Sequence, residues 1–136
     1  MKDIVEFRTD RFKPQLPDEC QANPGVYGAE LAYWLCVELA QRGVVTSYPK
    51  SEDWGWYVDY RSADGSQFAL QCGNVSGCDD RWLLVLHPYA RKVFGRDKPG
   101  YANAHTLIAA LEEVLGELVP PDALTWHWRQ GNSSLT

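Results

Sequence analysis

Two adjacent carboxylates, Glu52 and Asp53, stand directly before an aromatic stretch and are the residues whose types best suit acid–base chemistry. The stretch continues as Trp54-Gly55-Trp56. Apolar rings remove water from a neighbouring carboxyl group and so favour its protonated form, which can act as a general acid. No histidine or further acidic residue recurs at a fixed spacing from this pair. The alternative interpretation is therefore that the two carboxylates cap the strand entrance or pair with an arginine.

The histidines and cysteines form no recognised catalytic or metal-binding motif. They are His87, His105, His127, Cys20, Cys36, Cys72 and Cys78. Five residues separate Cys72 from Cys78, which is not a zinc-binding spacing. The sequence also lacks a Gly-x-Ser-x-Gly element, a phosphate-binding loop and a dinucleotide-binding motif. It predicts no metal, no cofactor, no disulfide and no catalytic residue.

A second candidate site is the basic segment 89–98, in which four cations surround two apolar residues. Its members are Tyr89, Arg91, Lys92, Val93, Phe94, Arg96 and Lys98. Arginine and aromatic residues are enriched at protein interfaces, where an apolar centre is rimmed by charge. The segment therefore predicts a docking surface for a protein partner, with Phe94 as its anchor. The alternative is a loop that folds back and buries Phe94 in a small satellite core.

Composition restricts the class of protein. A chain of 136 residues with 45% hydrophobic residues fits one globular domain. A net charge of −5 argues against nucleic-acid binding, which needs a basic face. Residues 1–6 contain no apolar run of signal-peptide length, and no window approaches the roughly 20 apolar residues of a membrane span. We expect a cytoplasmic monomer or homodimer with no membrane contact, a single α+β domain over 1–129 and a disordered polar tail over 130–136.

Hydrophobic periodicity predicts two helices and six strands. One helix over 26–42 carries an apolar stripe and ends before Gly43, and another, capped by Asn103, runs to Leu118 before Pro120. Extended segments are expected at 4–8, 54–61, 67–72, 82–86 and 124–129, and a further one begins at 44–46 and is ended by Pro49. Residues 62–66 are typical of a hairpin turn.

The resulting order is β-α-β-β-β-β-α-β. Short turns between the middle strands predict an antiparallel meander, and both helices must bury their stripes on one sheet face, which makes a two-layer α+β sandwich. Trp54, Trp56, Val58 and Tyr60 fall at period two, so we expect them to share the buried face. The continuously apolar run 82–86 predicts a central strand covered on both faces, although a buried helix segment can show the same pattern.

Several motifs resemble a group of small uncharacterised bacterial proteins. They are Leu31-Ala32-x-x-Leu35 with Arg42-Gly43, Pro49-x-x-Glu52-Asp53-Trp54-Gly55-Trp56, Trp82-x-x-x-Leu86 and Trp126-His127. The resemblance covers about residues 29–129 and implies a compact bacterial cytosolic domain with no assigned activity. In size, acidity and α+β character the chain is also similar to immunity proteins of bacterial toxin systems.

The leading functional hypothesis is a non-enzymatic protein-binding domain with a toxin-neutralising or regulatory partner. One alternative is a small hydrolase or ligand-binding domain that uses Glu52 and Asp53 in a tryptophan-lined pocket. Another is a secretion chaperone. A deep pocket with converging carboxylates favours the enzyme, an exposed apolar patch favours the binding protein, and a symmetric dimer favours the chaperone.

Overall fold

The computed structural model describes residues 3–21, 23–89 and 104–127 of the chain. The strands and helices within these residues are β1 Ile4–Arg8, α1 Ala29–Gln41, β2 Lys50–Glu52, β3 Gly55–Arg61, β4 Gln67–Asn74, β5 Arg81–Pro88, α2 His105–Leu118 and β6 Leu124–His127. Their order is the predicted one. Neither helix in the described part is long and apolar enough to cross a membrane.

The six strands form one antiparallel sheet in the order β2-β3-β4-β5-β1-β6. The first four are a meander, as predicted, because short turns connect them. β1 then pairs with β5, so that Ile4 lies opposite Val85, and β6 adds outside β1 with His127 opposite Ile4. The first and last strands of the described chain are therefore neighbours.

Both helices pack on one face of the sheet, which confirms the two-layer α+β architecture. Apolar residues from alternate strand positions and from one side of each helix form the core. Its largest fully buried side chains include Trp82, Phe7, Phe68, Leu31, Leu35, Leu39, Leu70, Leu84, Leu107 and Leu115. Arg42 joins the two helices, because its guanidinium donates to Glu38 on α1 and to Glu113 and Glu117 on α2.

A glycine lets α1 approach the sheet closely. Gly28, the residue before the helix, has φ +143°, and a Cβ built on it would lie 2.4 Å from the carbonyl oxygen of Cys72. L side chains rarely adopt this backbone conformation, and the distance leaves no room for a methyl group. Gly43 has φ +79° just after the helix, and this confirms the predicted C-terminal stop.

Three predictions about the strands were wrong. The segment from 44–46 to Pro49 is not a strand, since Thr46 makes only an isolated bridge to Tyr60, and the second strand is β2, which follows Pro49. Trp54 lies in the turn before β3 and is exposed, so it does not share the buried face of Trp56. β5 alternates between buried and half-buried residues because the helices cover one of its faces only.

Several predicted features lie outside the described residues. They are the cap at Asn103, the basic residues Arg91, Lys92, Arg96 and Lys98 with Phe94 between them, and Trp128 with the tail 130–136.

Candidate functional site

The β2–β3 hairpin places the predicted carboxylate pair at its tip. Lys50 of β2 lies opposite Tyr57 of β3, and Glu52 lies opposite Gly55. Asp53 and Trp54 form the two-residue turn between them. Residues 50–54 are all exposed, so among the described residues Glu52 and Asp53 are not enclosed in a pocket.

The two tryptophans of the hairpin lie in different environments. Trp56 is half-buried and packs against the core, with Val58 and Tyr60 following at period two on the same face. Trp54 is 48% exposed, and its ring lies 5.6 Å from that of Tyr57, centroid to centroid, on the opposite face. The hairpin therefore presents one tryptophan to the core and the other to solvent.

Asp59 connects the side chains of this outer face. Its Oδ2 accepts a hydrogen bond from the ammonium of Lys50 at 2.7 Å, and its Oδ1 accepts one from the hydroxyl of Tyr89, also at 2.7 Å. The Lys50 ammonium also lies 6.0 Å from the ring centroid of Tyr57. A continuous row of contacts thus runs from Trp54 through Tyr57, Lys50 and Asp59 to Tyr89. We call these five residues the hairpin surface.

The electrostatics of the hairpin surface keep these hydrogen bonds in place at neutral pH. Burial raises the pKa of Tyr89 most, and its hydrogen bond to Asp59, together with the negative charges of Asp59 and Glu52, raises it further. The hydrogen bond to Asp59 and the charge of that carboxylate also raise the pKa of Lys50. Tyr89 therefore remains a neutral donor and Lys50 a charged one.

The hairpin surface lies on the sheet face that faces away from the helices. On this face Ile4, Leu83 and Val85 are half-buried apolar residues near the centre of the sheet. Charged and polar pairs surround them, among which Arg81 donates to Glu6 at 3.0 Å and His87 contacts Gln71. This face therefore combines a half-buried apolar centre with a polar surround.

A cleft of about 540 Å³ lies at the other end of β3. It is lined by Gly43, Val44, Val45, Tyr60, Arg61, Ser62, Ala63, Asp64, His105 and Thr106. Its volume is in the range of small-molecule sites. Neither Glu52 nor Asp53 lines it, and Trp54 and Trp56 do not either. The predicted combination of carboxylates with a tryptophan-lined pocket therefore does not occur at this cleft.

The histidines and cysteines are dispersed. Within the described residues no three His, Cys, Asp or Glu side chains converge as metal ligands would. The cysteines are free thiols, with Cys20 exposed and Cys72 buried. Burial raises the pKa of the Cys72 thiol, which keeps it protonated and unreactive.

The structure brings together only some of the residues predicted as a site. Glu52 and Tyr89, which sequence reasoning assigned to two separate sites, lie close enough for the carboxylate charge to act on the phenol. Lys50, Tyr57 and Asp59 were missed as site residues. The alternation that puts Val58 and Tyr60 in the core also predicts an outward position for Tyr57 and Asp59, and that was the available signal.

Comparison of the chain with protein-family models, with curated proteins and with solved structures gives no match.

Proposed function

We propose that this chain is a non-enzymatic protein-binding domain whose contact site is the hairpin surface. The observation that supports this most directly is the exposure of Trp54 at the tip of an ordered hairpin. Tryptophan and tyrosine dominate the binding energy of many interfaces, because one ring buries a large apolar area at a small entropic cost. Trp54 packs against Tyr57 with the two ring planes tilted by 40° and does not enter the core, so both rings can contact a partner.

The contacts of Asp59 support the same proposal. Lys50 and Tyr89 occupy both of its carboxylate oxygens and link β2 to the end of β5. Binding to a partner orders surface side chains, and this ordering lowers the affinity. Side chains that are already held by hydrogen bonds lose less freedom on binding, so the hairpin surface is suited to recognition.

We further propose toxin neutralisation as the biological use of this binding, with regulation of a host enzyme as the other case. The support is the small size and the acidity of the chain, whose net charge of −5 favours a basic partner. The identity of the protein that the chain binds in its host distinguishes toxin neutralisation from regulation.

A capture experiment with matched variants tests the binding proposal. Tagged wild-type protein, Trp54→Ala and Tyr33→Ala are used to capture proteins from the native host, and each captured protein is identified by mass spectrometry. Tyr33 is the control, because it is 58% exposed on α1, in the helical layer and away from the hairpin surface. The identified protein is then purified and its affinity for each variant is measured directly.

We expect Trp54→Ala to lower the affinity for the purified partner by at least tenfold, as substitution of a central aromatic anchor does. Tyr33→Ala should bind like wild type. Equal affinity of Trp54→Ala and wild type for every captured protein would refute the proposed site.

A further inference from the structure

We propose that the partner presents an arginine-bearing basic segment to the hairpin tip, where a guanidinium stacks on Trp54 and pairs with Glu52 and Asp53. This inference rests on the proposed function and adds the chemistry of the partner. It is carried by the charge of the tip and by the geometry of the exposed indole.

The chain as a whole carries more acidic than basic side chains and has a net charge of −5. This negative charge steers a basic protein toward the molecule.

Two of the described cations, Lys50 and Arg81, are paired with carboxylates other than those of the hairpin tip. Lys50 is 2.7 Å from Asp59, and Arg81 is paired with Glu6 at 3.0 Å. Within the described residues neither Glu52 nor Asp53 has an ion-pair partner. Two exposed negative charges therefore stand beside the exposed ring of Trp54.

Arginine fits this arrangement better than lysine does. A guanidinium is flat, so it can stack on an indole and at the same time direct N–H donors at neighbouring carboxylates. An ammonium is more strongly hydrated and offers no flat face. The chain itself contains such a contact, since the guanidinium carbon of Arg11 lies 5.2 Å from the ring centroid of Trp34.

The test uses two synthetic peptides as probes, one that alternates arginine with glycine and one that alternates lysine with glycine at equal length. Binding to the full chain is measured by calorimetry at low and at high salt. The variant Glu52→Gln with Asp53→Asn removes the two charges of the tip. Its control, Glu112→Gln with Asp122→Asn, removes two exposed carboxylates that also have no ion-pair partner within the described residues.

We expect the arginine peptide to bind more tightly than the lysine peptide and to weaken as salt rises. The tip variant and Trp54→Ala should each lower its affinity, by about tenfold for the double variant. The control should bind like wild type. Equal losses in the tip variant and the control, or equal affinities for the two peptides, would overturn the inference.

The natural partner separates this inference from the proposed function. Loss of partner affinity in both Trp54→Ala and the tip variant supports the two together. Loss in Trp54→Ala with full affinity in the tip variant overturns the basic-segment inference and leaves the hairpin surface as the contact site. Full affinity in Trp54→Ala overturns the hairpin surface as the contact site, and with it this inference.

Discussion

The hydroxyl of Tyr89 offers the sharpest test of the outer-face geometry. Tyr89→Phe removes one oxygen atom and leaves the ring in place. The lost group donates a hydrogen bond of 2.7 Å to Oδ1 of Asp59, a carboxylate that also holds Lys50. The change therefore reports on a single contact between the end of β5 and the centre of β3.

The expected loss of stability follows from the exposure of both groups. A hydrogen bond to a charged acceptor contributes about 1.5–3 kcal/mol when it is well shielded from water. Tyr89 is 40% exposed and Asp59 is half-buried, so water competes for both groups. We therefore expect Tyr89→Phe to lower the free energy of unfolding by about 1 kcal/mol.

The difference in the free energy of unfolding between Tyr89→Phe and wild type should become smaller as the pH rises. The pKa of Tyr89 in the folded protein is raised above its ordinary value of 10.0, first by burial and then by Asp59. The protonated phenol is therefore the form that folding favours. Its contribution is fully present below pH 10 and is lost as the pH rises through the folded pKa, because the unfolded phenol ionises first.

Urea denaturation at pH 7 and at several values above pH 10 measures both effects. Tyr48→Phe is the matched control, since Tyr48 is 79% exposed and its hydroxyl makes no hydrogen bond within the described residues. We expect the midpoint of Tyr89→Phe to fall at an unchanged slope, and the gap from wild type to narrow above pH 10. A gap of less than about 0.3 kcal/mol at pH 7, or one that is constant with pH, would refute the hydrogen bond.

Three other outcomes are expected. Trp56→Ala should lower the free energy of unfolding by about 3 kcal/mol, because Trp56 packs on the core. Trp54→Ala, at an exposed turn position, should lower it by less than about 1 kcal/mol in the same chemical denaturation experiment. Equal losses would contradict the placement of the two rings. Gly28→Ala should lower the free energy of unfolding by about 3 kcal/mol or more, since its Cβ would collide with the carbonyl of Cys72, and an unchanged denaturation midpoint would contradict this. A thiol reagent should modify Cys20 rapidly in the native protein and Cys72 only on unfolding, because Cys72 is buried and burial raises the pKa of its thiol. Mapping of the labelled cysteines measures this. Rapid labelling of Cys72 in the native protein would show that its thiol is accessible.

The elements with a regular pattern were predictable. Residues 4–8 were expected as a strand and form β1 over the same range. The leucines of both helices repeat at helical spacing and are buried as expected, except Leu118 at the end of α2, which is half-buried. In these segments one face packs against the core and the other is exposed to solvent, so the alternation of apolar and polar side chains indicates which residues are buried.

The hairpin was predictable only in part. Trp54 continues the period-two series of Trp56 and Val58, and sequence alone gave no sign that the turn includes it. The pairing of β2 with β3 determines where the turn lies. Because Glu52 lies opposite Gly55, the two residues between them, Asp53 and Trp54, form the turn. β2 itself contains no β-branched or aromatic residue, so its extended form comes from its neighbour and not from its own propensity.

The hairpin surface depends on contacts between distant parts of the chain. Asp59 and Tyr89 belong to separate elements, and only the order of β3, β4 and β5 in the sheet brings them together. The alternation of residues along β3 predicts that Asp59 points away from the core, but it does not predict the contact with Tyr89. Tyr89 was predicted as a binding residue for its place beside the basic segment, whose cations lie outside the described residues.

The position of β1 in the sheet has a consequence for synthesis on the ribosome. β1 is made before the other described strands, yet its two partners are β5 and β6, so Ile4 pairs with Val85 and then with His127 only after those strands have been made. Until β5 is made, the apolar side chains of Val5 and Phe7, which are fully buried in the finished fold, have no strand beside them. Closing such distant pairs is slow relative to hairpin formation. β1 therefore stays without its sheet partners until β5 has been synthesised, and an unpaired apolar strand of this kind is prone to aggregation.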